Sequence, residues 1–329
     1  MVPYIVTSHQ RVNKTFSLVS VGIPTYSRRD GLRRTLECIT SQTYENLQII
    51  ISDNNTPGDE IERVVDEFSR IDKRIEFYRQ TENKGAIFNF NYVLEMARGE
   101  YFMWAADDDE WSNTFVECAL DLLQKHDTSV MSFCNIAVLD RDGGKTFNYS
   151  NELSSPFLFR RLKAFLVMKE ERIGKANLIY SLHRRKSLME ACTFDYFIKG
   201  EYASDCVVIL RLLLTGSINI TSQVLFRPSI HNTKLYDTDA YRDNHISISN
   251  FFSAVLHGII KERKKRKRYF TECRKLIKKG NLSCYQYMVL RLQLALREKK
   301  LILYHILRYP LLLAIQRLNI FPNRQVLLR

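Results

Sequence analysis

Three adjacent carboxylates, Asp107-Asp108-Asp109, are the residues of this 329-residue chain best suited to chemistry. Like charges so close repel one another, and a fold tolerates them best where a cation neutralises them. A solvated acidic turn before a helix is the plainer reading of such a triplet. Its position favours the cation, because the triplet follows the apolar run 101–105 after Ala106, at a strand end opposite Asp53-Asn54. A second polar cluster, Asp53-Asn54, ends the apolar run 47–52. A third, Pro24-Thr25-Tyr26, ends the run 17–24.

Elements that could bring these clusters together are visible in the same stretch. The runs 17–24, 47–52, 75–78 and 101–105 each read as a short buried strand. Between them, apolar residues at helical spacing predict helices. Leu32, Leu36 and Ile39 follow Asp30 as a cap; Ile61, Val64, Val65 and Phe68 form a second face; 86–97 is closed by Gly99. This alternation predicts an α/β fold with a mostly parallel, Rossmann-like central sheet flanked by helices. Ligands of such sheets bind beyond the carboxyl ends of the strands, where all three polar clusters fall. Farther on, 130–139 predicts a strand, 140–144 a turn, 178–183 a strand and 206–214 an apolar helix just after Asp205. From 251 the pattern is helical.

In order and spacing, several segments resemble the signature of the family 2 glycosyltransferases, of GT-A fold, over about residues 17–115. They are Gly22-Ile23-Pro24-Thr25-Tyr26-Ser27-Arg28, Ser41-Gln42-Thr43-Tyr44, Ile50-Ile51-Ser52-Asp53-Asn54 and Glu82-Asn83-Lys84-Gly85. Asn91, Gly99-Glu100-Tyr101 and the Asp triplet complete the set. With Ser52-Asp53-Asn54 and the Asp triplet in these positions, the chain looks most like the O-antigen or polysaccharide-type sugar transferases, including those that handle deoxysugars.

The resemblance implies an inverting transfer from a nucleotide sugar to an acceptor hydroxyl, with Mn²⁺ or Mg²⁺ as cofactor. It implies that Pro24, Thr25, Tyr26, Arg28, Asn54, Asn91 and Asp107 surround the donor and that Lys84-Gly85 close over it. Asp53 would accept from the base, and a carboxylate suits the imide N–H of uracil or thymine, hence a UDP- or dTDP-sugar. Arg227 would meet the diphosphate. The commonest family pattern, D-x-D-D, would put its first Asp on Ala106, leaving Asp108 as metal ligand; a plain D-x-D reading pairs Asp107 with Asp109. Both readings stay open, and Asp108, Asp109 and His231 form the candidate metal set. A lone His is more often structural. Asp205 matches the position of the general base, with Glu201 as alternative and a helix cap as the bland reading.

The net charge of +13 is unevenly divided: residues 251–329 hold 19 Lys/Arg and 3 Asp/Glu, whereas the remainder is slightly acidic. Two regions are therefore expected. Residues 1–250 form the GT-A domain, with its nucleotide-sugar half at about 17–115 and its acceptor half at about 116–250; residues 251–329 form a basic helical extension. Basic residues interleaved with Leu and Ile suit an anionic membrane surface, and the run lacks the aromatic pattern of a nucleic-acid platform. The first 16 residues do not read as a signal peptide, and no run reaches the ~20 apolar residues of a membrane span. Seven scattered cysteines suggest reduced thiols. The expected setting is cytoplasmic, at the inner face of the cell membrane, with a glycan or lipid-linked acceptor. A metal-dependent nucleotidyltransferase and a non-catalytic basic binding protein are the rival classes.

Overall fold

A computed structural model describes residues 16–140, 143–169, 173–192, 202–229 and 248–317. Strands β1 (Val19–Thr25), β2 (Leu47–Asp53), β3 (Ile75–Arg79) and β4 (Tyr101–Trp104) run parallel in the spatial order β3-β2-β1-β4. Every residue of β1, β2 and β4 is buried, which accounts for mostly apolar runs instead of alternating ones; the polar pair inside them is satisfied internally, Ser20 Oγ donating to Gln48 Oε1 at 2.6 Å. Helices α1 (Arg29–Thr40), α2 (Glu60–Ile71) and α3 (Ala86–Glu95) connect them. They bury the faces expected of them, Leu32, Leu36 and Ile39 on α1 and Ile61, Val64 and Val65 on α2. No side chain caps α1, so Asp30 lies in its first turn, where it favours the helix dipole instead of capping. In-register pairing sets Thr25 opposite Asp53 and Gly22 opposite Trp104, so the three strand ends reach one edge together.

The second half contains β5 (Glu110–Trp111), α4 (Phe115–Lys125), β6 (Ser129–Asp140), β7 (Gly143–Phe147) and α5 (Leu158–Val167). Then follow β8 (Leu182–Arg184), α6 (Arg185–Cys192), α7 (Ser204–Thr215) and β9 (Ser217–Arg227). The sheet continues β4-β8-β6-β9-β5, with β7 paired to β6. Pairing here is mixed: β6 and β9 are parallel, while β8 runs antiparallel to both β4 and β6. The strand expected at 178–183 is displaced. Ala176–Tyr180 winds into a 3₁₀ turn and only Leu182–Arg184 extends. The turn is closed by Ser181 N–H on the Leu178 carbonyl at 3.2 Å and by His183 Nε2 against the Ile179 carbonyl at 3.0 Å.

Helices α8 (Ile248–Lys279) and α9 (Cys284–Arg317) form a hairpin that lies on this body. α8 buries Tyr269, Phe270, Cys273, Leu276 and Ile277, and α9 buries Leu290, Leu294 and Leu301, all within the same apolar core as the sheet. Arg274 on α8 pairs with Glu298 on α9 at 2.7 Å, and Gln293 donates to the Lys163 carbonyl of α5 at 3.4 Å. One face of each basic helix is thus part of the body. All seven cysteines are thiols, and burial pushes those of Cys134 and Cys192 up to about 12, far from a reactive thiolate.

Candidate active site

Beyond the carboxyl ends of β1, β2 and β4 lies a cavity of ≈ 580 Å³. The end of β1 contributes Pro24, Thr25 and Tyr26, the approach to α1 contributes Arg28, and Asn54 follows β2. Asn83, Gly85 and Asn89 come from the loop and helix after β3, and Asp107, Asp108 and Asp109 follow β4. Asn177, Tyr180, Pro228 and Ser229 complete the wall from the second half. Two side-chain choices seat the acidic triplet on α1. A Cβ at Gly31 would collide with the Asp107 carbonyl, and the Thr35 hydroxyl donates to the Ala106 carbonyl at 3.0 Å. Neither Gly31 nor Thr35 stands out in the sequence. Left-handed backbone at Ser27 (φ 54°), Asn55 (φ 63°) and Ala203 (φ 54°) marks strained turns after β1, after β2 and before α7.

The triplet is held by a mixture of donors. Thr25 Oγ1 donates to Asp107 Oδ2 at 2.8 Å, and Arg28 Nη1 bridges Asp107 Oδ1 at 3.1 Å and Asp108 Oδ2 at 2.5 Å. The Ser229 N–H donates to Asp109 Oδ1 at 2.7 Å. Burial raises the Asp107 pKa above its ordinary value and pushes Asp109 up to about 7. Neighbouring carboxylates add to the rise at Asp109, while Ser229 N–H and Arg28 oppose it. Loss of solvent is thus the main cost of charging these two carboxylates, a cost that a nearby cation offsets. Among the described residues no three of His, Cys, Asp and Glu stand together as a ready cage for a metal ion. The donor set nonetheless fits Mg²⁺ or Mn²⁺, hard ions that are held at nucleotide sites by one or two carboxylates plus substrate phosphates.

The other expected site residues divide clearly. Asp53 is fully buried and turned to Thr56, whose N–H lies 3.1 Å and hydroxyl 2.5 Å from Oδ1, with Arg79 at 3.6 Å; it does not line the cavity. Asn54 positions the following loop, its amide donating to Asn83 Oδ1 at 2.8 Å and its Oδ1 accepting from Lys84 N–H at 3.0 Å. Gly85 lines the cavity with φ 85°, whereas the Lys84 ammonium lies over the Phe88 ring at 4.8 Å. Asn89, and not Asn91, faces the strand ends, donating to the carbonyls of Thr25 (3.2 Å) and Ser52 (2.8 Å). Two residues apart on a helix point to different sides, so only one of the pair can do this. Arg227 pairs with Glu110 at 3.1 Å across β5 and β9, and its neighbours Pro228 and Ser229 line the cavity instead. Glu201 and His231 lie outside the described residues.

Asp205 sits in the first turn of α7 and accepts from the Cys206 N–H at 2.8 Å. Burial raises its pKa above the usual carboxylate value, and the Lys175 charge offsets part of that. Lys175 is itself buried, its ammonium 4.4 Å from the Phe165 ring centroid and 5.8 Å from that of Tyr269 on α8. Asp205 does not line the cavity, whereas Tyr180 does. Its phenol is pushed well above its ordinary value by burial and then by Asp109, Asp108, Asp205 and Asp107. Sequence reading missed Tyr180, because it stands on the 3₁₀ turn where a strand was expected.

Comparison with known proteins gives this arrangement a family. The glycosyl transferase family 2 model matches residues 20–181, which span β1 to the turn carrying Tyr180. The chain carries a family 2 glycosyltransferase domain. An uncharacterised glycosyltransferase of Rickettsia typhi is 27% identical over 228 residues, covering 67% of this chain and 66% of the relative. A GalNAc(5)-diNAcBac-PP-undecaprenol beta-1,3-glucosyltransferase of Campylobacter jejuni is 28% identical over 191 residues, 56% of this chain and 57% of the relative. The chain thus spans between about half and two thirds of these relatives' lengths. Among solved structures, TarS 1–349 of S. aureus superposes with a TM-score of 0.58 at 12% identity, covering 84% of this chain and 70% of that one. A mannosyltransferase from Pyrobaculum calidifontis, in complex with GDP-Man and Mn²⁺, gives 0.50 at 14% identity, covering 91% and 86%. The transferase domain has the GT-A fold.

Proposed function

We propose that this protein is an inverting glycosyltransferase that moves a hexosyl or deoxysugar unit from a UDP- or dTDP-sugar to an acceptor hydroxyl. The observation that carries the reading is one cavity at the strand ends, walled by Arg28 and three carboxylates, with Tyr180 in the field of both the triplet and Asp205. Asp108 and Asp109 would hold the Mn²⁺ or Mg²⁺, with His231 as a further candidate. When bound, the cation supplies charge stabilisation at the departing diphosphate. Arg28, whose side chain is 49% exposed, can turn from the carboxylates to phosphate oxygens, for which its planar fork is suited. Asn54 and Asn83 hold the loop at Gly85 against the donor. Asp205 takes the acceptor proton; a carboxyl whose pKa burial has raised is a better base near neutrality than an exposed one.

The acceptor in this reading is a cell-surface polysaccharide or lipid-linked glycan, met at the cytoplasmic face of the membrane. The test is incubation of the full chain with a panel of nucleotide sugars and Mn²⁺ in the absence of acceptor. Slow release of nucleoside diphosphate, abolished by EDTA and restored by Mn²⁺ or Mg²⁺, is the expected result. Pyrophosphate release would assign a nucleotidyl transfer instead, and neither binding nor turnover would leave a basic binding protein.

A further inference from the structure

We propose that the outward face of α9 docks on an anionic lipid bilayer, with the helix lying along the surface. The proposal deepens the membrane placement given above and rests on no part of the sugar-transfer chemistry. Leu290, Leu294 and Leu301 turn inward and are buried. On the opposite side, Tyr285, Met288, Leu292, Leu296 and Leu303 remain exposed, from 57% at Leu303 to 74% at Tyr285. Their spacing of three, four, four and seven residues makes a single stripe. At 1.5 Å per residue it runs about 27 Å along the helix. An exposed apolar stripe of this length, interrupted by Lys299 and Lys300 between Leu296 and Leu303, marks an interaction site on an otherwise folded surface.

Charge selects the occupant. Arg291, Lys299 and Lys300 are exposed on the same helix, and on α8 so are Lys261, Arg263, Lys264 and Lys267. The acid of the described part of α9, Glu298, is tied to Arg274. A second copy of the chain seated on this stripe would oppose these cations with their own duplicates, which costs free energy. Anionic headgroups would neutralise them while Leu and Met side chains enter the acyl boundary. Among the described residues no helix is long and apolar enough to cross a membrane, so the contact is with the surface. The expected docking element is therefore α9 itself, with the basic run of α8 as an electrostatic aid.

Flotation of the full chain with phosphatidylglycerol–phosphatidylcholine vesicles tests this. The double substitution Leu292→Glu and Leu296→Glu should reduce partition by at least about tenfold, because two inserted side chains are replaced by charges. High salt should weaken wild-type binding only in part, and pure phosphatidylcholine should bind poorly. Lys299→Gln with Lys300→Gln should weaken binding chiefly at low salt. All positions are exposed, so unchanged unfolding temperatures will show that the variants fold, independently of any transferase activity. Undiminished binding of the Leu292→Glu, Leu296→Glu protein, or no binding by wild type, overturns the proposal. Light scattering that finds a dimer dissolved by the same pair would also overturn it and assign the stripe to a second copy.

Discussion

Replacing His183 with Gln should remove an acid sensitivity built into the fold next to the candidate site. His183 is fully buried, and its Nε2 lies 3.0 Å from the Ile179 carbonyl. That nitrogen must carry the proton, since a carbonyl only accepts. Nδ1 is then a buried lone pair, with no hydrogen-bond partner among the described residues. Burial pushes the imidazole pKa down from 6.5 to about 4, the Ile179 bond restoring a little. As pH falls below 6.5 the unfolded chain binds a proton that the folded chain refuses, so stability is lost from there down through about 4. At ~1.4 kcal/mol per pKa unit, the loss is about 3 kcal/mol by pH 4, and about half of that by pH ~5.5. Gln does not titrate, and its amide N–H can keep the Ile179 bond. Urea denaturation of both proteins from about pH 8 to about pH 4 reads the effect as the difference, variant minus wild type. Taking the difference cancels Asp107, Asp109 and Asp205, whose raised pKa values act in the opposite sense over the acidic range. Ile179 immediately precedes Tyr180, so the same acid should loosen the turn that presents Tyr180. A difference that stays flat with pH would refute the reasoning, because the imidazole would then not be buried in its neutral form.

Asp205→Asn should lower turnover by about 10²-fold or more while donor affinity stays the same; the acidic limb of the wild-type rate profile should lie above the ordinary aspartate range, since burial raises this carboxyl. Arg28→Gln removes the guanidinium that bridges Asp107 and Asp108. It should weaken donor binding yet tighten Mn²⁺ binding to the donor-free protein, both measurable by calorimetry. Phe270→Ala, at a fully buried position of α8, should cost about 3–5 kcal/mol in urea denaturation. A basic extension independent of the body would leave the main transition where it was.

The amino-acid sequence by itself determined the first half of the sheet and the place of the site. Strands covered on both faces must be mostly apolar without a period of two, so 17–24, 47–52 and 101–105 declared themselves. The polar clusters that close those runs had to stand at the strand ends. Local pattern could not say which way the polar side chains point once there. Asp53 turned to Thr56 and Arg79, and Asn89 took the position expected for Asn91, because helical geometry lets only one of them face the strands. Tyr180 entered the site through a 3₁₀ turn held by His183, a contact between residues whose spacing matched a strand equally well. The largest difference lies in the basic helices. α9 is apolar on two opposite sides, so its sequence carries no clear single-face period to separate packing from exposure. Only the tertiary structure could sort them, giving Leu290, Leu294 and Leu301 to the core and leaving Leu292, Leu296 and Leu303 outside. The sorting follows from where α5 and α8 lie, since a helix buries whichever side its neighbours cover.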